Sequence, residues 1–154
     1  MTGTMSIILR EMTTADYDDV YALWISIQGF GIRSIDDSRT GVERFLKRNP
    51  STSVVALQNG RIVGSILCGH DGRRGCFYHV CVAKGYRGRG VGQKMTRFAL
   101  EALRQEGISK VNLIAFRSNE VGNQFWQGVG WTERTDLNYY EYTINEENLT
   151  AFVK

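Results

Sequence analysis

The stretch "YRGRGVGQKM", Tyr86 to Met95, holds three glycines within five residues, among three positive charges and no negative one. It follows a β-like run, "CFYHVCV" (76–82). It also opens a helical pattern in which Val91, Met95, Phe98, Ala99, Ala102 and Leu103 recur at the spacing of one amphipathic face. A strand, a glycine-rich turn and a helix in this order make an anion site. The first helical N–H groups have no intrahelical partner, and the helix dipole adds partial positive charge there. Glycines let a phosphate approach the backbone, and a pyrophosphate accepts several N–H bonds at once. Arg87, Arg89 and Lys84 stand ready for charge-assisted contacts.

Other uses of such a turn make different demands on sequence. A Walker turn needs Gly-Lys-Ser/Thr, and Gly92 is followed by Gln93. A dinucleotide fingerprint needs G-x-G-x-x-G, whereas the order here is Gly88, Gly90, Gly92. An RNA-binding sheet brings exposed aromatics, and Tyr78 with Tyr86 is thin support for one, so no nucleic-acid partner is expected. A plain tight turn with a solvated basic face stays open on composition alone.

The whole chain has 154 residues, enough for one domain spanning 1–154 with a sizeable core. Its net charge is +3, yet Gly72 to Leu100 carries seven Lys or Arg and no Asp or Glu, which leaves −4 on the remainder. One segment attracts anions while the rest is mildly acidic. No apolar run has membrane-spanning length, and "MTGTMSIILREM" (1–12) lacks the basic start and apolar core of an export signal, so a cytoplasmic protein without a membrane partner is expected. Cys68, Cys76 and Cys81 form no C-x-x-C pair and read as buried reduced thiols, and no metal site is expected.

Outward from the turn, "SIILREM" (6–12) reads as a strand. Thr13 or Thr14 can cap a helix bearing Tyr17, Val20, Trp24 and Ile27, which "QGFGIRSIDDS" (28–38) interrupts. A second helix turns Val42, Phe45 and Leu46 inward and ends before Pro50. "TSVVAL" and "RIVGSILCG" flank Asn59-Gly60, a strong hairpin signal. After the long helix come a strand "KVNLIAF", a short helix in "NEVGNQFWQGV" capped by Ser118 or Asn119, and two closing strands, "WTERTDL" and "YYEYTI". The predicted order is β-α-α-β-β-β-α-β-α-β-β, a mixed α/β sheet.

Arg87-Gly88-Arg89-Gly90-Val91-Gly92 matches R/Q-x-x-G-x-G/A, and "SNEVGNQFWQGVGW" is similar to N-x-x-A-x-x-x-Y-x-x-x-G-F, with Asn119, Gly122, Trp126, Gly130 and Trp131 in the key places. With the element order, these motifs resemble the GNAT superfamily of acetyl-CoA-dependent N-acetyltransferases. The second half resembles bacterial ribosomal-protein N-terminal acetyltransferases. The resemblance implies a mixed, mostly antiparallel sheet flanked by helices, acetyl-CoA as co-substrate and a primary amine as acceptor, attacked directly in a ternary complex. It implies that the backbone of Val80, Cys81 and Val82 pairs with the pantetheine arm, that the amides of Arg87 to Gly92 hold the pyrophosphate, and that Asn119 bonds the pantetheine end with Asn123 nearby. Phe125 and Trp126 then flank the thiol, and the N–H of Val80 or Cys81 polarises the carbonyl.

Two positions depart from the pattern. The tyrosine that often protonates the leaving sulfur is replaced by Trp126, and the glutamate base of the ribosomal-protein enzymes by Ile114. Candidates for proton transfer are His79, whose type of side chain suits base work near neutrality, and Tyr139 and Tyr140 at the start of the last predicted strand. Without a side-chain base, protons move through water and the enzyme relies on proximity. The alternative is a domain that binds or senses acyl-CoA with little turnover. By the same resemblance the first two helices and their connection wall the acceptor cleft, which assigns Trp24, Phe30, Gly31, Arg33, Asp36 and Asp37 to it. Asp36 and Asp37 suit an amine cation or simply cap the second helix. The acceptor is a small-molecule amine, a protein N-terminus or a lysine, and a homodimer is compatible with all of these.

Overall fold

Asn59 and Gly60 both take positive φ, 51° and 78°, and their turn joins β3 (Val54–Gln58) to β4 (Arg61–His70). A second turn, tied by the Asp71 carboxylate to the N–H groups of Arg73 and Arg74, leads from β4 into β5 (Gly75–Val82). These hairpins are the centre of the molecule, described for residues 6–154 in a computed structural model. Met1 to Met5, part of the segment read as lacking an export signal, lie outside the described residues. β1 (Ile8–Glu11) adds antiparallel to β3, and β6 (Val111–Asn112) adds parallel to β5, so the sheet order is β1-β3-β4-β5-β6.

Helices cover both faces. Thr13 opens a short 3-10 turn whose Asp16 accepts the Thr13 N–H at 2.8 Å and pairs with Arg10 through both oxygens. α1 (Tyr17–Ile25) follows, with Val20, Leu23 and Trp24 buried. Ser38 Oγ accepts the Gly41 N–H and so caps α2 (Arg39–Arg48), which buries Val42 and Leu46. Both helices pack on the face bearing Val55, Leu67 and Cys81. On the other face α3 (Val91–Gln105) packs Val91, Met95, Ala99 and Leu103 against Val54, Ala56, Ile66 and Phe77. A side chain such as Met95, fully enclosed there, contributes roughly 1.5–3 kcal/mol by leaving water. The predicted mixed, mostly antiparallel sheet between helices is the fold observed.

Three predicted details are corrected. The interruption after α1 holds a strand, β2 (Gly31–Arg33), and "KVNLIAF" forms ladder bonds only at Val111 and Asn112. "WTERTDL" and "YYEYTI" are not strands; the last strand is β7 (Thr150–Phe152), antiparallel to β2 in a separate two-stranded sheet. The observed order is therefore β-α-β-α-β-β-β-α-β-α-β. Alternation of apolar and polar residues favours an extended backbone but does not choose its partner. Here the end of the chain is drawn to β2: Asn148 Oδ1 takes the N–H groups of Ile35 and Asp36, and Gly31 leaves room for the Phe152 ring, 3.2 Å from where a Cβ would stand.

Candidate active site

β5 and β6 are paired only through Gly75↔Val111 and Cys76↔Asn112. Beyond Cys76 the two chains part, and among the described residues no strand pairs with the edge of β5 that faces away from β4. Alternate peptide groups along it point into the gap. The gap opens a cleft of about 2280 Å³, with Tyr78 to Val82 on one wall and Leu113 to Phe116 on the other.

One end of the cleft is made of backbone. Gly88 and Gly90 have φ of 75° and 81°, and Gly90 is the N-cap of α3. A Cβ built on either would meet nothing within 4 Å, so these glycines are required by their backbone conformation, and open space lies over them. Gly92 is different: a Cβ there would stand 3.2 Å from the Phe125 ring, where α4 (Glu120–Gly128) leans on α3. Arg87 Nε donates to the Val82 carbonyl at 3.1 Å, and the Arg89 guanidinium lies 6.0 Å from the Tyr86 ring centroid. An unbonded helix start, clear space above positive-φ glycines, nearby arginines and a free strand edge fit a coenzyme with a pyrophosphate and an amide-rich arm.

Side chains of α4 divide their work. Asn119 Oδ1 accepts the Gly122 N–H at 3.0 Å and caps the helix, which leaves its amide NH₂ for the cleft. Asn123 is turned to the carbonyls of Phe116 and Arg117 and does not line the cleft. Trp126 borders the cleft and clusters with Phe125, Trp131 and Phe77 at ring separations of 4.9, 4.8 and 6.2 Å.

The other end depends on a bulge. Ser65 pairs with Cys81 but Leu67 with Tyr78, so His79 and Val80 together oppose Ile66. His79 takes φ of 50°, rare for a residue with a side chain. Consequently Tyr78 and His79, neighbours in sequence, both turn to the α1–α2 face, while Phe77 and Val80 pack toward α3. Tyr78 meets Phe45 edge-on at 5.9 Å. The His79 ring sits 4.7 Å from Trp24 and 4.8 Å from Phe30. Its Nε2 lies 2.8 Å from Asp37 Oδ1. Asp37 is buried; its second oxygen takes the Arg33 N–H at 2.7 Å, and its carbonyl accepts from the Tyr17 hydroxyl. A carboxylate removed from water demands such partners, and His79 is its charged or polar side-chain partner here.

The remaining predicted residues separate. Phe30, Arg33, Asp36, Asp37 and Tyr139 line the cleft; Trp24 stands behind His79, its indole N–H on Ser65 Oγ at 3.3 Å. Asp36 is held by Asn148 and lies 3.9 Å from Arg33. Tyr140 is 86% exposed and outside the cleft. The Tyr139 hydroxyl donates to Glu141, which raises its pKa. Tyr78 was not among the predicted site residues. A hydrogen bond with Cys76, with burial, pushes its pKa up to about 12, so it donates a hydrogen bond across the neutral range and is no base. Burial pushes the Cys68 thiol to about 12 and the Cys81 thiol to about 11, and all three cysteines are free, so Cys81 is no nucleophile; its peptide groups, two residues from the Ala83 N–H that bonds Val63, face β4. The pairing of Asp37 with His79 spans 42 positions and had no signal in local spacing.

Among the described residues no group of three side chains is placed to bind a metal, and no helix is long and apolar enough to cross a membrane. A model of the Acetyltransferase (GNAT) family matches residues 17–131. An acetyltransferase of Sodalis glossinidius (strain morsitans) is 33% identical over 113 residues, 73% of this chain and 78% of the relative. Among solved structures, the aminoglycoside N-acetyltransferase AAC(6')-Iy in complex with CoA superposes with a TM-score of 0.70 at 12% identity, over 92% of this chain and 98% of that one. A ribosomal-protein-alanine N-acetyltransferase from Brucella melitensis biovar Abortus 2308 gives 0.68 at 18%, over 91% and 100%. At such identities the two structures share a fold with this chain, and the sequence match carries the family. A parted strand pair, a glycine-built helix start and this match agree: the chain belongs to the Acetyltransferase (GNAT) family and is an acetyl-CoA-dependent N-acetyltransferase.

Proposed function

We propose that His79 is the base of this acetyl transfer, that Asp37 orients it, and that the acceptor amine enters from the α1–α2 side of the cleft. The observation carrying this reading is the 2.8 Å contact between His79 Nε2 and Asp37 Oδ1 beside the free edge of β5. An ionised carboxylate only accepts, so Nε2 carries the ring proton and Nδ1 keeps the lone pair. The bulge fixes the ring between Trp24 and Phe30.

The N–H groups from Gly88 to Gly92 would hold the coenzyme at its pyrophosphate, with the Arg87 and Arg89 side chains adjacent and the Arg87 N–H spent on the Lys84 carbonyl; the free edge of Val80 to Val82 would take its arm and the Asn119 amide its end, with Phe125 and Trp126 bordering the thiol. When bound, it supplies an acetyl group activated on sulfur. The amine nitrogen forms the new bond to the acetyl carbon, the carbon–sulfur bond breaks, and the nitrogen loses one proton. His79 takes that proton. The N–H of Val80 steadies the carbonyl oxygen as charge gathers there, since that of Cys81 faces β4. The proton that the thiolate needs returns through His79 or water, because Tyr78 and Tyr139 both hold their protons more tightly than an ordinary phenol.

His79→Gln keeps a polar side chain and removes the base. Turnover with a saturating amine is expected to fall about 100-fold, with acetyl-CoA affinity by calorimetry within about twofold of the parent. Turnover that survives undiminished in the variant sends deprotonation to water. Tight binding of acetyl-CoA with no amine acetylated at any pH favours a sensing role.

A further inference from the structure

We infer that the acceptor is an acidic peptide, whose amine reaches His79 while its carboxylates lie along α2. This rests on His79 marking the acceptor end. From α2 and its C-cap, Gly41, Val42, Arg44, Phe45, Arg48 and Asn49 line the cleft. All but the buried Val42 fall at i, i+3, i+4, i+7 and i+8, a single helical face, and Phe45 carries that face onto Tyr78, the neighbour of His79. Across from it, the turn after β4 adds Arg74 to the same wall. Arg44, Arg48 and Arg74 are exposed, and among the described residues none has a carboxylate at ion-pair distance.

The acids of this wall are already engaged. Asp71 accepts the N–H groups of Arg73 and Arg74, at 2.8 and 2.9 Å. Asp36 faces Arg33 and Asn148, Asp37 holds His79, and Glu141 accepts from Tyr139. Three guanidinium groups thus remain for the ligand, in a fork geometry that suits carboxylates. Arg74 precedes His79 by five positions along an extended chain, roughly 15 Å at the rise of a strand. An extended peptide spans that distance in about four or five residues. A small amine would leave the arginines without work, and a polycation would meet them with like charge.

The test compares three synthetic peptides that share one free amino terminus and differ at positions two to five, all acidic, all neutral or all basic. Thiol release from acetyl-CoA is followed at fixed ionic strength. The acidic peptide is expected to exceed the neutral one at least tenfold in kcat/KM, chiefly through KM, with the basic peptide weakest. In Arg44→Gln/Arg48→Gln the acidic-to-neutral ratio should fall toward one, and added salt should lower it in the parent. Lys47→Gln, on α2 but outside the cleft, removes the same kind of charge and should leave the ratio alone. Circular dichroism checks each fold, and Arg74→Gln gives an independent reading if the double variant does not fold. Equal rates for the three peptides, or a preference for the basic one, overturn the inference while leaving the transferase reading intact. Acetylation of no peptide and of no simple amine removes both.

Discussion

The two ends of the cleft are built from different material. At the proposed coenzyme end the groups offered are peptide N–H groups, between Val80 and Gly92 plus the start of α4. At the proposed acceptor end the groups offered are side chains, drawn from α1, the connection after it, α2, the bulge of β5 and the segment around Tyr139. A backbone cradle recognises a group shared by every donor molecule and asks only for shape, hence glycines at fixed spacing. A side-chain wall recognises one acceptor, and its exposed members, such as Arg44 and Arg48, can change without disturbing the sheet.

That contrast is broken most forcefully at Gly90. A valine there must adopt φ near 81°, and its branches enter the open space over the helix start. Losing two or three N–H contacts at roughly 1 kcal/mol each predicts acetyl-CoA binding about 100-fold weaker by calorimetry. Gly107→Val is the matched control. Gly107 has φ of 80° with nothing within 4 Å of a Cβ, but it lies at the far end of α3. Both variants should lose comparable thermal stability, and only Gly90→Val should lose coenzyme. Equal affinities in the two would mean that the pyrophosphate does not rest on this turn.

Asp37→Asn probes the other end with a smaller expected effect. Asparagine can still accept the Arg33 N–H but turns an NH₂ toward His79 Nε2, forcing the proton onto Nδ1. Turnover should fall about tenfold or more, with KM for the amine changing less than kcat and acetyl-CoA affinity unchanged. Asp37→Glu, which keeps a carboxylate, should recover part of the rate. If Asp37→Asn weakens coenzyme binding as much as turnover, the two ends are not separate and the carboxylate merely holds the loop.

The same division explains what could be read in advance. The coenzyme end is local: a strand, three glycines and an amphipathic helix sit in one continuous stretch, and the hairpin at Asn59-Gly60 announces the strands beside it. The acceptor end is not local. His79 was legible as a candidate and Asp37 as a neighbour of the cleft, but their hydrogen bond depends on a bulge, and a bulge appears only when β5 is laid against β4. Tyr78 changes face for the same reason. The closing strands failed because alternation in "WTERTDL" and "YYEYTI" fixes an extended chain without choosing a partner, and Asn148 with Gly31 brings β7 to β2.

Trp126 offers the finest test, because it stands where the motif resemblance puts a proton-donating tyrosine. Its indole N–H donates a hydrogen bond but does not titrate in the working range. Its ring is held in a cluster with Phe77, Phe125 and Trp131. Trp126→Phe keeps an aromatic surface against the cleft and removes only the N–H and some area. Turnover and acetyl-CoA affinity should each change by no more than about threefold, which is under 1 kcal/mol. Trp126→Tyr then supplies a phenol at the same place. If protons return to sulfur through His79 or water, the new hydroxyl has nothing to add, and turnover should stay within about twofold of the Trp126→Phe protein. A gain of tenfold or more would show that the leaving thiolate lacks a donor in the parent. A loss of 100-fold in Trp126→Phe, with affinity intact, would place a step of the chemistry at the coenzyme end, where the backbone cradle is expected only to bind.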